Sequence, residues 1–256
     1  MNTLRFGYQI CKRTWKKLYY RPIHLVFSFV QPIFWLTIFG FLFERSFQFP
    51  EGSYLAYLLP GVCAMTVIQS SSQAGILFIK DFQTGFFGRY NFTPASRFSF
   101  LFFKIFADFS RIFVQVVLLF IIGWCMGIEG ISISFKGLLL STAGIFMFTY
   151  FYAALSSFIA IRMKVSELMA TFINLFNLPI IFTSTALVPN KGLPSWLETI
   201  AQYNPLSHLS QIIRGNTINA DFGQNAGGTE SYIILAVLML ISFGGCFLYL
   251  KKVNYQ

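Results

Sequence analysis

Long uncharged stretches separated by short polar segments dominate the pattern along this chain. Six of them approach or exceed the length of about 20 residues that a helix needs to cross a hydrocarbon core of roughly 30 Å. These stretches cover residues 23–43, 54–79, 98–128, 137–161, 168–190 and 231–250, the third with three charges near its start. Backbone groups in lipid must be paired within a segment, and the stretches lack the alternation of barrel strands. The pattern therefore predicts an all-α integral membrane protein with six transmembrane helices in one domain, residues 1–256.

The segment before the first stretch has the pattern of a helix at the membrane surface. Apolar side chains recur at the spacing of one helical face over residues 4–20, and basic or polar residues fill the rest. The apolar positions are Leu4, Tyr8, Cys11, Trp15 and Leu18. This distribution predicts an amphipathic interfacial helix, either a generic membrane anchor or a lever along the membrane surface.

Two further segments outside the spans have helical patterns. In residues 80–92, Phe82, Phe86 and Tyr90 recur every four residues, which predicts a short helix with an aromatic face. That helix is either an ordinary connector or a knob for the groove of a partner protein. Residues 193–215 predict two helices of about ten residues each, too short to cross, which form a re-entrant or outer hairpin.

Composition and charge narrow the class further. Hydrophobic residues make up 55% of the chain and charged residues 11%, whereas soluble domains are about one quarter charged. A soluble enzyme and a nucleic-acid-binding protein are thereby excluded, despite the net charge of +10. Fourteen of the 19 Lys and Arg residues lie in the N-terminal segment, after the second and fourth spans, and in the tail. The positive-inside rule then predicts cytoplasmic N and C termini, and we expect the bacterial inner (cytoplasmic) membrane.

Three charges open the third span. Lys104 and Asp108 are four residues apart, and Arg111 follows three residues later, so all three side chains can meet on one helical face. The cluster is either an ion relay or a structural ion cluster. We favour the structural interpretation, because one acid flanked by two bases has little tendency to take up a proton near neutral pH.

Polar side chains inside the second and fifth spans are candidates for a translocation path. They are equally candidates for hydrogen bonds between helices. These residues are Gln69, Ser72, Gln73, Asn174 and Asn177.

Motifs for chemistry are missing from the sequence. It contains no His-Glu-x-x-His, no Gly-x-Ser-x-Gly and no Cys-x-x-Cys pattern, so we assign no catalytic residue and no metal site. It also contains no Gly-x-x-x-x-Gly-Lys-Ser/Thr loop with which to bind ATP. Transport, signalling and scaffolding remain.

The order of these parts resembles the permease subunit of ABC-2 type exporters over nearly the whole chain. The matching motifs are residues 57–61 at the start of span two, Asp81, Gly85 and Arg89 with 93–97 in the coupling loop, and 193–197 with 203–206 in the outer hairpin. Residues 107–111 resemble the Ala-Asp-x-x-Arg motif of daunorubicin-resistance-like drug permeases. Phe86 and Phe87 stand where many members carry acidic or polar residues, and the common coupling-loop Glu is missing.

The resemblance implies a permease subunit for an amphipathic drug, a lipid or a lipid-linked glycan. It implies two copies of a separate ABC ATPase, a second permease subunit (identical or a paralogue) and surrounding membrane lipids as partners. ATP and Mg²⁺ belong to the ATPase, and this chain needs no cofactor. The residues implied in ATPase coupling are Asp81, Phe82, Gly85, Phe86, Arg89 and Tyr90. An ion-coupled secondary transporter and a membrane-embedded lipid-modifying enzyme are the alternatives.

Overall fold

The computed structural model describes residues 3–20, 22–44, 53–84, 97–163, 165–189, 194–219 and 228–252. These residues form ten α-helices and no strand, and their one β-type pairing is an isolated bridge between Ile131 and Ile218. The helices are α1 (Thr3–Tyr20), α2 (Pro22–Phe43), α3 (Tyr54–Ser72), α4 (Ala74–Gln83), α5 (Arg97–Cys125), α6 (Phe135–Met163), α7 (Ser166–Phe182), α8 (Ser195–Tyr203), α9 (Pro205–Thr217) and α10 (Thr229–Lys252).

The all-helical membrane architecture predicted from hydropathy is confirmed at this level. Four helical stretches of the described residues are long and apolar enough to cross a bilayer: Tyr54–Asp81, Phe98–Cys125, Phe135–Met163 and Thr229–Lys251. Two shorter helices, Ser28–Phe43 and Ser166–Phe182, are also apolar.

The second apolar stretch is interrupted at Gln73, where α3 ends and α4 begins. The backbone of Gln73 stays in the right-handed helical region, with φ −67° and ψ −14°, so the interruption is a local break between two helices, which we call the kink. A hydroxyl from a neighbouring helix lies at this break, since Ser156 Oγ accepts from Gly75 N–H and donates to the Ser72 carbonyl. Insertion of a side chain into the helical hydrogen-bond ladder is a recognised cause of kinks.

Helix α6 lies at the centre of the packing. One buried cluster joins α6 to α3 and α9, with Tyr57, Phe148 and Leu209 among its members. We call this region the α9 end of the bundle. A second cluster joins α6 to α1, α4, α5 and α10 around Phe78 and Phe100, and we call this region the α4 end.

Helix α1 packs along α5. The ring of Phe103 lies against Gly7, and Trp15 Nε1–H donates to Ser110 Oγ at 3.1 Å. These contacts are eight residues apart on α1 and seven apart on α5, so the two helices run in the same direction there. Ile10 is buried whereas Tyr8 is 66% exposed, so the packed face is offset from the stripe predicted by apolar spacing.

Candidate functional site

Asp81, near the end of α4, joins three helices. Its carboxylate accepts from Lys104 Nζ on α5 at 2.6 Å and from Arg13 Nη2 on α1 at 3.0 Å. The Lys104 ammonium also lies 4.5 Å from the centre of the Phe78 ring and 5.7 Å from that of Phe100. Lys104 is buried, so the carboxylate and the two ring faces stabilise a charge withdrawn from water. We call Arg13, Asp81 and Lys104 the Asp81 junction.

Two residues of the predicted ion cluster, Lys104 and Asp108, are buried on α5, and the third, Arg111, is partly buried. Asp108 is buried and close enough to Lys104 for a favourable electrostatic interaction. Arg111 lies further along, where its Nη2 is 3.5 Å from the Ser70 carbonyl of α3. Lys104 is therefore directed to α4 and Arg111 to α3.

A second polar cluster surrounds the kink between α3 and α4. Asn177 of α7 donates to Ser72 Oγ at 3.1 Å and accepts from the hydroxyl of Tyr152 at 2.7 Å. Ser156 and Gly75 complete the cluster through the bonds described above. Ser72 and Asn177, two of the candidate path residues, are thus buried and engaged in hydrogen bonds between helices.

The other candidate path residues lie outside this cluster. Gln73 and Asn174 are exposed on the surface of the bundle, and Gln69 is partly exposed. Gln31 of α2, which the sequence pattern alone does not single out, is exposed as well. Large apolar side chains are exposed on α5 and α10: Phe98, Phe106, Ile121, Trp124, Ile233, Val237, Leu240, Ile241 and Leu248.

Hydrogen bonds from tyrosine side chains hold a non-helical segment, residues 183–189, at the α9 end. Residues 183–189 follow α7 without helical structure and are mostly buried. The Tyr57 hydroxyl donates to the Thr185 carbonyl at 2.7 Å, and the Tyr54 hydroxyl donates to the Leu187 carbonyl at 2.8 Å. Irregular backbone at membrane depth needs such partners within the protein.

Arg214 of α9 is the central side chain of this arrangement. Its guanidinium lies 3.6 Å from the centre of the Tyr57 ring and donates to the carbonyls of Tyr57 and Thr185. Gly61 lies beside the same segment, since a Cβ there would come within 1.8 Å of the Ala186 carbonyl oxygen. Close approach of α3 to residues 183–189 therefore requires glycine at this position.

The structure describes two of the six predicted coupling residues. Asp81 belongs to the Asp81 junction, and Phe82 follows it in helix α4. Gly85, Phe86, Arg89 and Tyr90 lie outside the described residues.

Sequence reasoning did not identify three polar residues of interest: two arginines that bond to other elements and one glutamine that is exposed on an apolar helix. Arg13 was grouped with the other basic residues of α1, and nothing in the spacing separates it from Lys12. Gln31 had a usable signal, because an amide inside an otherwise apolar span is expensive in lipid. Arg214 had one too, since it directly follows Ile212 and Ile213.

Among the described residues, no group of three His, Cys, Asp or Glu side chains could hold a metal ion. The four cysteines are free thiols: Cys11, Cys63, Cys125 and Cys246.

Apolar helices with internal polar clusters define a helical integral membrane protein. Its residues 7–218 match the family model for ABC-2 type transporters, and the chain belongs to that family. It is 32% identical over 250 residues to the transport permease ycf38 of Cyanophora paradoxa, covering 91% of this chain and 85% of the relative. It is 26% identical over 197 residues to the daunorubicin resistance ABC transporter permease DrrB1 of Streptomyces coeruleorubidus, covering 75% of this chain and 68% of the relative.

Proposed function

We propose that this chain is the permease subunit of an ATP-driven exporter that moves an amphipathic drug, lipid or lipid-linked glycan across the membrane. Two copies of a separate ABC ATPase power it, and ATP and Mg²⁺ bind there. The observation that carries the proposal is the attachment of α4, in a chain of the ABC-2 type family. Helix α4 is held at its start by Ser156 and near its end by Asp81, which lies within the segment 80–92 that we assign to ATPase contact.

Because α4 is bonded to neighbouring helices at both ends, a displacement of its last turn can be passed on to those helices. In this proposal, the ATPase moves residues 80–92 when ATP binding closes its dimer. The Asp81 junction passes the displacement to α1 through Arg13 and to α5 through Lys104. The Ser156 hydroxyl replaces part of the backbone ladder at the kink, which makes this the point where α4 can bend relative to α3.

The topology of the exporter follows from the charge distribution. We place the α4 end and both termini in the cytoplasm and the α8–α9 hairpin at the outer surface. All six predicted stretches then cross the membrane, with α2 and α7 as the first and fifth spans. The bacterial cytoplasmic membrane is the expected location.

The exposed amides indicate where substrate moves. Lipid would leave Gln31, Gln73 and Asn174 without hydrogen-bond partners, which is costly in hydrocarbon. We therefore assign this face to the interior of the assembly, opposite a second permease subunit. Substrate moves outward between the two subunits along it.

Co-purification tests the ATPase assignment. The complex is expressed in its native host, and the ATPase recovered with Phe82→Ala/Phe86→Ala is compared with that recovered with the unaltered chain. We expect at least a tenfold loss with unchanged membrane insertion. Trp196→Ala/Tyr203→Ala is the matched control, because it removes two exposed aromatic side chains at the opposite end of the bundle.

Equal ATPase recovery with both double variants would overturn the coupling assignment. A transport assay separates the remaining class of mechanism. The proposal requires that export stops when ATP is depleted and continues when a protonophore collapses the proton gradient. The opposite result, with loss of export in Asp108→Asn, would establish an ion-coupled transporter in which the buried Asp108 is the coupling group.

A further inference from the structure

Four amide side chains lie on the neighbouring helices α2, α3 and α7 and at the kink that follows α3. Gln31 lies on α2, Gln69 on α3, Gln73 at the kink and Asn174 on α7, and all four are exposed or partly exposed. We call these residues the amide ladder. Its interpretation as a ligand site rests on the proposed function, which assigns this face to the substrate path.

Hydrogen bonds between helices set the heights of the amides. The bond from Asn177 to Ser72 places these two residues at one level, so Asn174 lies about one helical turn closer to the α4 end. Gln115 of α5 donates to Ser28 at 2.9 Å and accepts from Ser70 at 3.1 Å. Those two bonds bring α2 and α3 to a common level.

Gln31 follows Ser28 by one turn and therefore lies on the α9 side of that level. Gln69 and Gln73 fall between Gln31 and Asn174. At 1.5 Å per helical residue, the ladder extends over roughly 12 Å along the bundle. Near the α9 end of this face, the rings of Trp35 and Phe182 are 6.3 Å apart, which brings α2 and α7 together.

The chemistry of the face favours hydroxyl groups. Each amide offers both donors and acceptors, which pair with hydroxyls without a change in charge. Helices α2 and α3 contain no Asp, Glu, Lys or Arg, and α7 contains only Glu167 in its first turn. Within α2, α3 and α7, an anionic headgroup would therefore find no counter-charge, and a cationic one would find only Glu167. Large apolar side chains are exposed beside the ladder: Val30, Phe34, Leu175 and Leu178.

We propose that the amide ladder binds the headgroup of an uncharged, hydroxyl-rich amphiphile, such as a sugar-headed lipid. The headgroup pairs with the amides and the tail lies against the neighbouring apolar side chains. The ladder has the length of a small oligosaccharide, and its apolar surroundings exclude competing water.

Photo-crosslinking tests the headgroup preference on the full chain in phosphatidylcholine nanodiscs. The probes are a dodecyl glucoside, a dodecyltrimethylammonium and a dodecyl sulfate, each with the same diazirine in its alkyl chain. We expect the glucoside to label peptides of α2 and α7 saturably, with competition by unlabelled dodecyl glucoside. The cationic and anionic probes are expected to label these peptides at least fivefold less.

Variants then connect the labelling to the ladder. Gln31→Leu/Asn174→Leu is expected to lower saturable glucoside labelling at least fivefold. Gln202→Leu removes an exposed amide from α8 and is expected to leave labelling unchanged. The probe comparison uses the unaltered chain, so it remains decisive even if the double variant does not fold.

Stronger labelling by the cationic probe would overturn the proposal and assign the face to cations held by aromatic rings. Glucoside labelling that is unaffected in the double variant would overturn it as well. A ladder that merely pairs two permease subunits would give no saturable labelling, and the double variant would dissociate the dimer. Crosslinking needs no ATPase, so failure here is distinguishable from failure of the exporter proposal, which is a loss of ATPase co-purification.

Discussion

Replacing Asp81 by alanine removes the carboxylate that serves two cations from two other helices. Lys104 has a side-chain exposure of 11%, whereas Arg13 has 38%. The two cations therefore respond differently. Arg13 becomes hydrated, and the loss of its ion pair with Asp81 costs about 0–1 kcal/mol of folding stability, as for a surface pair. Lys104 stays buried with no carboxylate bonded to its ammonium, which costs about 3–5 kcal/mol in comparable buried pairs.

Lys104 keeps its contacts with the rings of Phe78 and Phe100, and its interaction with Asp108, both before and after the change. The ammonium therefore retains some stabilisation in the variant, which places the destabilisation of Asp81→Ala at the lower end of that range, about 3 kcal/mol. At roughly 2–4 °C per kcal/mol for a chain of this size, the unfolding midpoint should fall by about 6–12 °C.

Thermal unfolding of the purified chain in one mild detergent measures this shift. Glu167→Ala is the matched control, because Glu167 is an exposed carboxylate at the start of α7, and its loss should change the midpoint by at most about 1 °C. Adding Lys104→Met to Asp81→Ala removes the cation that has lost its bonded carboxylate and should restore most of the stability. Equal midpoints for Asp81→Ala and Glu167→Ala, or no rescue by Lys104→Met, would refute the reasoning.

Three further variants test other contacts. Gly61→Ala places a methyl group against a backbone carbonyl and should destabilise by about 2–3 kcal/mol, whereas Gly245→Ala meets open space and should be neutral or slightly stabilising. Ser156→Ala removes the hydroxyl at the kink and should cost about 1–2 kcal/mol, whereas Ser141→Ala removes a buried hydroxyl that has no partner among the described residues and should cost less. Burial lowers the pKa of His208, so the folded state favours the neutral ring; stability is complete above about pH 6.5 and should decline as the pH falls further. Thermal unfolding midpoints measure all three effects. If the midpoint of His208→Gln falls between pH 7.5 and pH 5 as steeply as that of the unaltered chain, His208 is excluded as the cause.

Hydropathy was sufficient for the fold class because bilayer thickness fixes the length of a spanning helix. It could not reveal the kink at Gln73. Residues 70–73 are polar but uncharged, and they do not interrupt the apolar stretch Tyr54–Asp81. The kink depends on Ser156, which lies 84 residues from Ser72 and reaches it only after α6 has packed against α3 and α4.

The candidate site shows the same division between local and long-range information. Periodicity brings Lys104, Asp108 and Arg111 to attention, because their spacing lies within one helix. The bonds from Asp81 to Lys104 and Arg13 span 23 and 68 residues, and no helical period contains them. Asp81 was singled out through its resemblance to a coupling-loop motif, and the structure adds that its carboxylate contacts α1 and α5.

The buried segment 183–189 has a consequence for the order in which the chain is assembled. Its carbonyls accept hydrogen bonds from Tyr54 and Tyr57, which are synthesised before it, and from Arg214, which is synthesised after it. Asn204, also made later, donates to the carbonyl of Ile180 near the end of α7. When α7 leaves the ribosome, its far end is therefore still incompletely paired. We therefore expect stable insertion of α7 to follow the synthesis of α9, after about 214 residues and the length of chain within the ribosomal tunnel.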